Sequence, residues 1–192
     1  MKSKNMLATN PVKESRETND YYATHPDALK IFLNKLNEDN LTLSKDIWEC
    51  AVGGGHLAKV LIEKGFNVRC TDIVYRGFTK TEIKDFLSET EIWNGDILTN
   101  PPFIVAEQFV EKGMSLLEKG KKLIFFLKVQ FLESKGRKLL FEKYPPKYIY
   151  LNSERQHTAK NGNFGKYTLG TLFFCWFVWE KGFKGEPIIR WI

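Results

Sequence analysis

Asp46-Ile47-Trp48-Glu49-Cys50-Ala51-Val52-Gly53-Gly54-Gly55-His56-Leu57-Ala58, followed by Asn67-Val68-Arg69-Cys70-Thr71-Asp72, is the stretch that decides how this chain folds. Asp46–Val52 has the short apolar pattern of a buried strand. It runs into three glycines, then into a helix ending at Gly65, and Asn67–Asp72 reads as the next strand, closing on an acid. Glycines let a ligand approach the backbone closely, the helix start offers free amides, and an acid at the second strand tip can accept both hydroxyls of a ribose. The order predicts a nucleoside-containing cofactor.

Two such cofactors compete. Gly53-x-Gly55-x-x-Ala58 fits a dinucleotide fingerprint loosely. S-adenosylmethionine has no phosphate, and Glu49 just before the turn favours it: a carboxylate there repels a pyrophosphate but tolerates a cationic ammonium or sulfonium.

The other decisive stretch is Asp96-Ile97-Leu98-Thr99-Asn100-Pro101-Pro102-Phe103. A strand-like run stops at two prolines, which cannot continue a hydrogen-bonded ladder and which hold Asn100 extended. Asn100 and the Pro101 carbonyl are therefore expected on a stiff elbow at the carboxyl end of a strand, where open α/β sheets bind ligands. A carboxamide oxygen beside a peptide oxygen can take both hydrogens of an amino group, and Phe103 can stack on a flat heterocycle. Taken alone, the four residues could equally form a plain turn.

The 192 residues suit one domain with a real core. The net charge of +6 is unevenly spread. Residues 1–118 hold 14 Lys and Arg against 18 Asp and Glu, whereas residues 119–192 hold 15 against 5. A basic second part suits a polyanion, because lysines and arginines displace counterions from phosphates. Cys50, Cys70 and Cys175 sit in apolar runs without metal-ligand spacing and read as reduced core residues. No apolar stretch follows Met1–Leu7, and the run Leu172–Trp179 is too short to span a bilayer, so the expectation is a cytoplasmic protein without membrane contact.

Along the chain, residues 1–19 read as a mobile arm and 20–192 as the single domain. Pro26 opens a helix with Ala28, Leu29, Ile31, Phe32, Leu33 and Leu36 on its apolar face. Thr24 either caps that helix or, with Tyr22, meets a ligand. Within Thr81–Leu87, a helical turn or a short strand ends at Asp85-Phe86, leaving Asp85 as an adenine contact or surface acid and Phe86 as a stacking or core ring. Val105–Leu117 reads as a helix, Leu123–Leu127 as a central strand, Phe131–Tyr144 as a helix and Tyr148–Leu151 as a strand. Leu169–Glu180 and Pro187–Ile192 read as a terminal antiparallel hairpin. Between Asn152 and Thr168 lies a short polar loop whose Arg155, His157, Lys160, Asn161 and Lys166 suit contacts to nucleic-acid phosphates and bases.

With these pieces in order, the chain resembles the phage-type DNA adenine-N(6) methyltransferases from about Asp20 to Ile192. The carriers are Asp20-Tyr21-Tyr22-Ala23-Thr24, Trp48–Leu57, Thr71-Asp72-Ile73 with Arg76-Gly77, Asp85-Phe86-Leu87, and Thr99-Asn100-Pro101-Pro102-Phe103. His25 stands where the family commonly has proline. The resemblance implies a Rossmann-like S-adenosylmethionine-dependent methyltransferase fold: a mostly parallel twisted sheet with helices on both faces. It further implies Tyr22, Thr24, Glu49, Ala51, Gly53 and Gly55 at the methionine end of S-adenosylmethionine, Asp72 at its ribose, and Ile73 among the cofactor contacts. Asp85 and Phe86 would hold its adenine, and Asn100, Pro101, Pro102 and Phe103 would be the catalytic group. The implied partner is DNA, duplex or single-stranded, met by a monomer or weak dimer without metal. RNA adenine and protein glutamine methyltransferases share the Asn-Pro-Pro-Phe site, and an idle nucleic-acid-binding module or a dehydrogenase would share less of the pattern.

Overall fold

A computed structural model describes residues 22–153, the backbone of 158–160, and 173–192. The expected arm at 1–19 lies outside these residues. The elements are β1 Tyr22–Thr24, α1 Pro26–Glu38, β2 Asp46–Glu49, α2 His56–Glu63, β3 Asn67–Asp72, β4 Glu82–Ile83, β5 Asp96–Thr99 and α3 Ala106–Leu116. After these come β6 Lys122–Lys128, α4 Arg137–Lys143, β7 Tyr148–Leu151, β8 Thr158–Lys160, β9 Phe174–Glu180 and β10 Ile188–Trp191.

Among the described residues, eight strands form one sheet in the order β10-β7-β9-β6-β5-β2-β3-β4, in which only β9 runs antiparallel to its neighbours. The sheet grows from β2 toward β3 on one side and toward β5 on the other. That reversal opens a crevice outside the carboxyl ends of β2 and β5. Glu49 ends β2 and Asn100 follows β5, so both acidic turn and proline elbow face it.

Alternate residues of the central strands feed two cores, as the period of two requires. Leu123, Phe125 and Leu127 of β6 join Phe109, Val110 and Met114 of α3 and Leu140 of α4. Ile124 and Phe126 join Leu29, Phe32 and Leu33 of α1 and Leu57, Val60 and Leu61 of α2. Trp48, Trp176 and Trp179 are almost wholly buried, and each such ring contributes on the order of 4–6 kcal/mol of apolar burial. Cys50, Cys70 and Cys175 are free and buried, as their apolar settings suggested.

Several expectations need correction. The last two strands are not a hairpin: β10 pairs in parallel with β7, which separates it from β9. Phe131–Tyr144 is not one helix but a 3-10 turn at Val129–Leu132 and then α4. Ile31 is 41% exposed, one step outside the apolar stripe of α1. The cap of α1 is His25, whose Nδ1 accepts from the Asp27 N–H at 3.3 Å, while Thr24 lies buried in β1. Over 81–87 the strand is only Glu82–Ile83, paired with the tip of β3, and Asp85 caps a 3-10 turn beyond it.

Candidate active site

The carboxyl ends of β2, β3 and β5 open onto a cavity of about 380 Å³, a size typical of small-molecule sites. Residues from five separated stretches line it: Tyr22 and Thr24; Glu49 and Ala51; Asp72 and Ile73; Asp85 and Phe86; and Asn100, Pro101, Pro102 and Phe103. Gly53 and Gly55 support the wall without lining it. The Gly53 N–H donates to Asp72 Oδ2 at 2.8 Å. Gly55, at φ +78°, begins α2 where the Phe78 ring fills the space a Cβ would need.

Asn100 is held by its amide nitrogen. Nδ2 donates to the Tyr22 carbonyl at 2.7 Å and to Thr24 Oγ1 at 2.9 Å. A carbonyl can only accept, so the nitrogen must face β1 and the orientation of the carboxamide follows from its neighbours. Oδ1 is left buried and without a hydrogen-bond partner among the described residues. An unpaired buried acceptor costs roughly 1–3 kcal/mol, which a ligand N–H would recover. The elbow is stiffened by the Val105 N–H donating to the Pro102 carbonyl at 3.2 Å.

Glu49 is 2% exposed, and its Oε2 also lacks a partner among the described residues. Burial raises its carboxyl well above the usual carboxylate range, the negative Asp72 adds to the rise, and the Ala58 amide opposes it. The site thus presents an acid that a cation could ionise. Asp72 is organised differently: Oδ2 takes the Gly53 N–H and Oδ1 the Val74 N–H at 2.9 Å. Each oxygen retains capacity for a further donor, such as a hydroxyl.

Asp85 accepts from the Leu87 N–H at 2.9 Å and from Ser88 Oγ at 3.0 Å. Phe86 is 2% exposed, packed edge-on to Trp48 at 5.2 Å and against Phe109 at 4.9 Å, so it is a core ring that also meets the cavity. Ile73, by contrast, is 60% exposed at the cavity wall, an apolar surface open to a ligand. Phe103 stacks with Tyr22 at 6.0 Å between ring centroids, and Lys128 Nζ lies 4.3 Å from its ring.

Sequence reasoning did not assign Cys50, His56, Lys84, Ile104 or Phe109 to this wall. His56 directly follows the glycines, which was a usable signal; burial, with Lys59 and His25 nearby, lowers its pKa. Lys84 arrives through the connection after β4, which carries no periodic pattern.

Of the loop residues expected to meet nucleic acid, Arg155, His157, Asn161 and Lys166 lie outside the described residues, and Lys160 is described only in its backbone. The loop contains a strand. β8 pairs antiparallel with β1, setting Lys160 opposite Tyr22 and Thr158 opposite Thr24. The segment that holds the Asn100 amide is therefore backed by the predicted contact loop. Among the described residues no group of three or more His, Cys, Asp or Glu could hold a metal ion, and no helix is long and apolar enough to cross a membrane.

No protein-family model and no curated protein matches the chain. Solved structures do. A candidate class I S-adenosylmethionine-dependent methyltransferase of Listeria monocytogenes is similar at a TM-score of 0.63 and 14% identity, over 91% of this chain and 66% of that one. A candidate RNA methyltransferase of Pyrococcus horikoshii is similar at 0.63 and 14% identity, over 87% and 90%. The type IIG restriction endonuclease BpuSI is similar at 0.56 and 16% identity, over 82% of this chain and 25% of that one. The chain has the Rossmann-like α/β fold of the first two of these proteins.

Proposed function

We propose that this chain is an enzyme that transfers the methyl group of S-adenosylmethionine to the 6-amino nitrogen of adenine in DNA. The observation that carries the reading is Asn100: its amide hydrogens are spent on Tyr22 and Thr24, and its oxygen is left unpaired at the cavity. An acceptor so oriented suits an amino group, and the basic charge of residues 119–192 suits a nucleic acid.

The residues present fit the cofactor. The unpaired Glu49 oxygen suits its ammonium, with Tyr22, Thr24, Ala51 and the Gly53 and Gly55 turn around the methionine end. Asp72 has acceptor capacity left for the ribose hydroxyls, beside the exposed Ile73. Asp85 and Phe86 would meet the adenine. When bound, S-adenosylmethionine supplies a methyl group on positively charged sulfur.

The adenine amino nitrogen is a weak nucleophile because its lone pair is delocalised into the ring. Asn100 Oδ1 and the Pro101 carbonyl accept its two hydrogens, which favours a tetrahedral nitrogen and stabilises the positive charge growing on it. Preorganised dipoles of this kind are worth about two to three decades of rate each. Pro102 keeps the elbow stiff, and Phe103 packs on the flat base, which must first leave a duplex stack. No bond would form between the chain and the base: the amino nitrogen would take the methyl as the methyl–sulfur bond breaks, and would then give up one proton to solvent.

RNA is the second reading, favoured by the Pyrococcus neighbour named for RNA methylation. Transfer of a labelled methyl group to duplex DNA, single-stranded DNA and RNA, with Asn100→Ala alongside, tests both. Label recovered as 6-methyladenine in DNA and lost with Asn100→Ala supports the proposal. Label confined to RNA moves the substrate, and no transfer with no cofactor binding overturns the enzyme reading.

A further inference from the structure

A second cavity, of about 770 Å³, lies beyond the carboxyl ends of β6 and β7. Phe174 lines it, and the Phe174 ring stands 5.9 Å from that of Phe103 in the first cavity, so the two meet at adjoining rings. Its wall also carries Phe173 and Trp191, 52% and 66% exposed. The large, solvent-open face of Trp191 is what a stacked base requires.

The polar group in this wall repeats the arrangement at Asn100. Asn152 Nδ2 donates to the Phe174 carbonyl at 2.9 Å, which fixes the carboxamide, and its Oδ1 is buried with no partner among the described residues. A fixed, unpaired acceptor beside exposed rings is poorly suited to a purely structural role, since burying it unpaired is costly. Lys128 pairs with Phe174 in the β6–β9 register and holds its ammonium 4.3 Å from the Phe103 ring.

Resting on the nucleic-acid reading above, we infer that this second cavity receives the base next to the target adenine on the same DNA strand. Trp191 stacks on that base, and Asn152 Oδ1 accepts an N–H from its edge. The acceptor favours a base with an exocyclic amino group (adenine, cytosine or guanine). Thymine offers only an N–H flanked by two carbonyl oxygens, which oppose Oδ1. The cavity thus selects the flanking base rather than performing chemistry.

The test uses the full chain and a single-stranded oligonucleotide pool in which the bases flanking one adenine are randomised. Methylation is read by position and binding by fluorescence anisotropy. Wild type should disfavour thymine at one flanking position by about tenfold, the scale of one lost base-edge contact. Asn152→Leu should reduce that bias below about twofold, and Trp191→Ala, at an exposed side chain, should weaken binding of every sequence severalfold. An abasic site at the flanking position should weaken wild type and leave Trp191→Ala indifferent. A flanking bias unchanged in Asn152→Leu, or abasic sensitivity unchanged in Trp191→Ala, overturns the inference. If nothing is methylated but the binding pattern appears, the methyltransferase reading fails and the base site stands. If no oligonucleotide binds, both fail.

Discussion

The Thr24 hydroxyl accepts a hydrogen from the Asn100 carboxamide at 2.9 Å, across 76 positions of sequence. This bond and the one to the Tyr22 carbonyl decide which atom of Asn100 faces the cavity. Thr24→Val removes the hydroxyl and keeps the shape, so the carboxamide is restrained by one bond instead of two. The expected result is a kcat about tenfold lower, from the loss of about 1.4 kcal/mol of orientation. Thr24→Ser should restore most of the rate. Steady-state methyl transfer with each variant checks this, and equal loss in Val and Ser variants would place the role of Thr24 in packing.

Gly55 begins α2 at φ +78°, and an added methyl there would strike the Phe78 ring. Gly77, at φ +89°, has nothing within reach of an added methyl. Gly55→Ala therefore suffers both backbone strain and collision and should lose at least about 2 kcal/mol of stability. Gly77→Ala suffers strain alone and should lose about 1 kcal/mol. Thermal unfolding of the two variants separates the contributions, and equal losses would mean that Phe78 moves aside freely.

Asp96 is wholly buried and accepts two backbone amides, Ser44 N–H on Oδ2 and Lys122 N–H on Oδ1, each at 2.7 Å. It ties the entry of β5 to the residue leading into β2 and to the first residue of β6. Asp96→Ala orphans both donors and should cost about 3 kcal/mol, a drop of roughly 6–12 °C in Tm for a chain of this size. Calorimetry of the purified variant reads it directly; a drop of under 2 °C would mean that water replaces the carboxylate.

What could be read from the sequence was local. The strand, glycine turn, helix, strand and acid follow from neighbouring residues, and two prolines suffice to place Asn100 at a strand end. Partner choice between distant segments left no local mark. Tyr22 pairs with Lys160, and β10 with β7 rather than with β9 beside it in sequence. Where the expected helix after Phe131 breaks, a side chain occupies the backbone carbonyls. The Arg137 guanidinium takes the carbonyls of Gln130, Phe131 and Glu133, at 3.1 to 3.2 Å, which a continuous helix would have used itself. Apolar periodicity over 131–144 is blind to that competition.

Glu49 gives a pH test of the site. Burial, then the Asp72 charge, hold its carboxyl well above the ordinary carboxylate range. The folded protein therefore binds this proton more tightly than the unfolded chain does. The stabilisation is fully present below the ordinary carboxylate pKa and is lost as pH rises through the raised one. Glu49→Gln keeps the side-chain shape and cannot ionise, so its Tm should stay level over the window in which wild type declines. An ammonium arriving beside the carboxylate reverses the balance, so binding of S-adenosylmethionine to wild type should release a proton. Titration calorimetry in buffers of different ionisation enthalpy measures that release. Glu49→Gln should show none and bind at least about tenfold more weakly. Parallel Tm curves for the two proteins would mean that Glu49 is already ionised in the free protein, and the unpaired Oε2 would then need another partner.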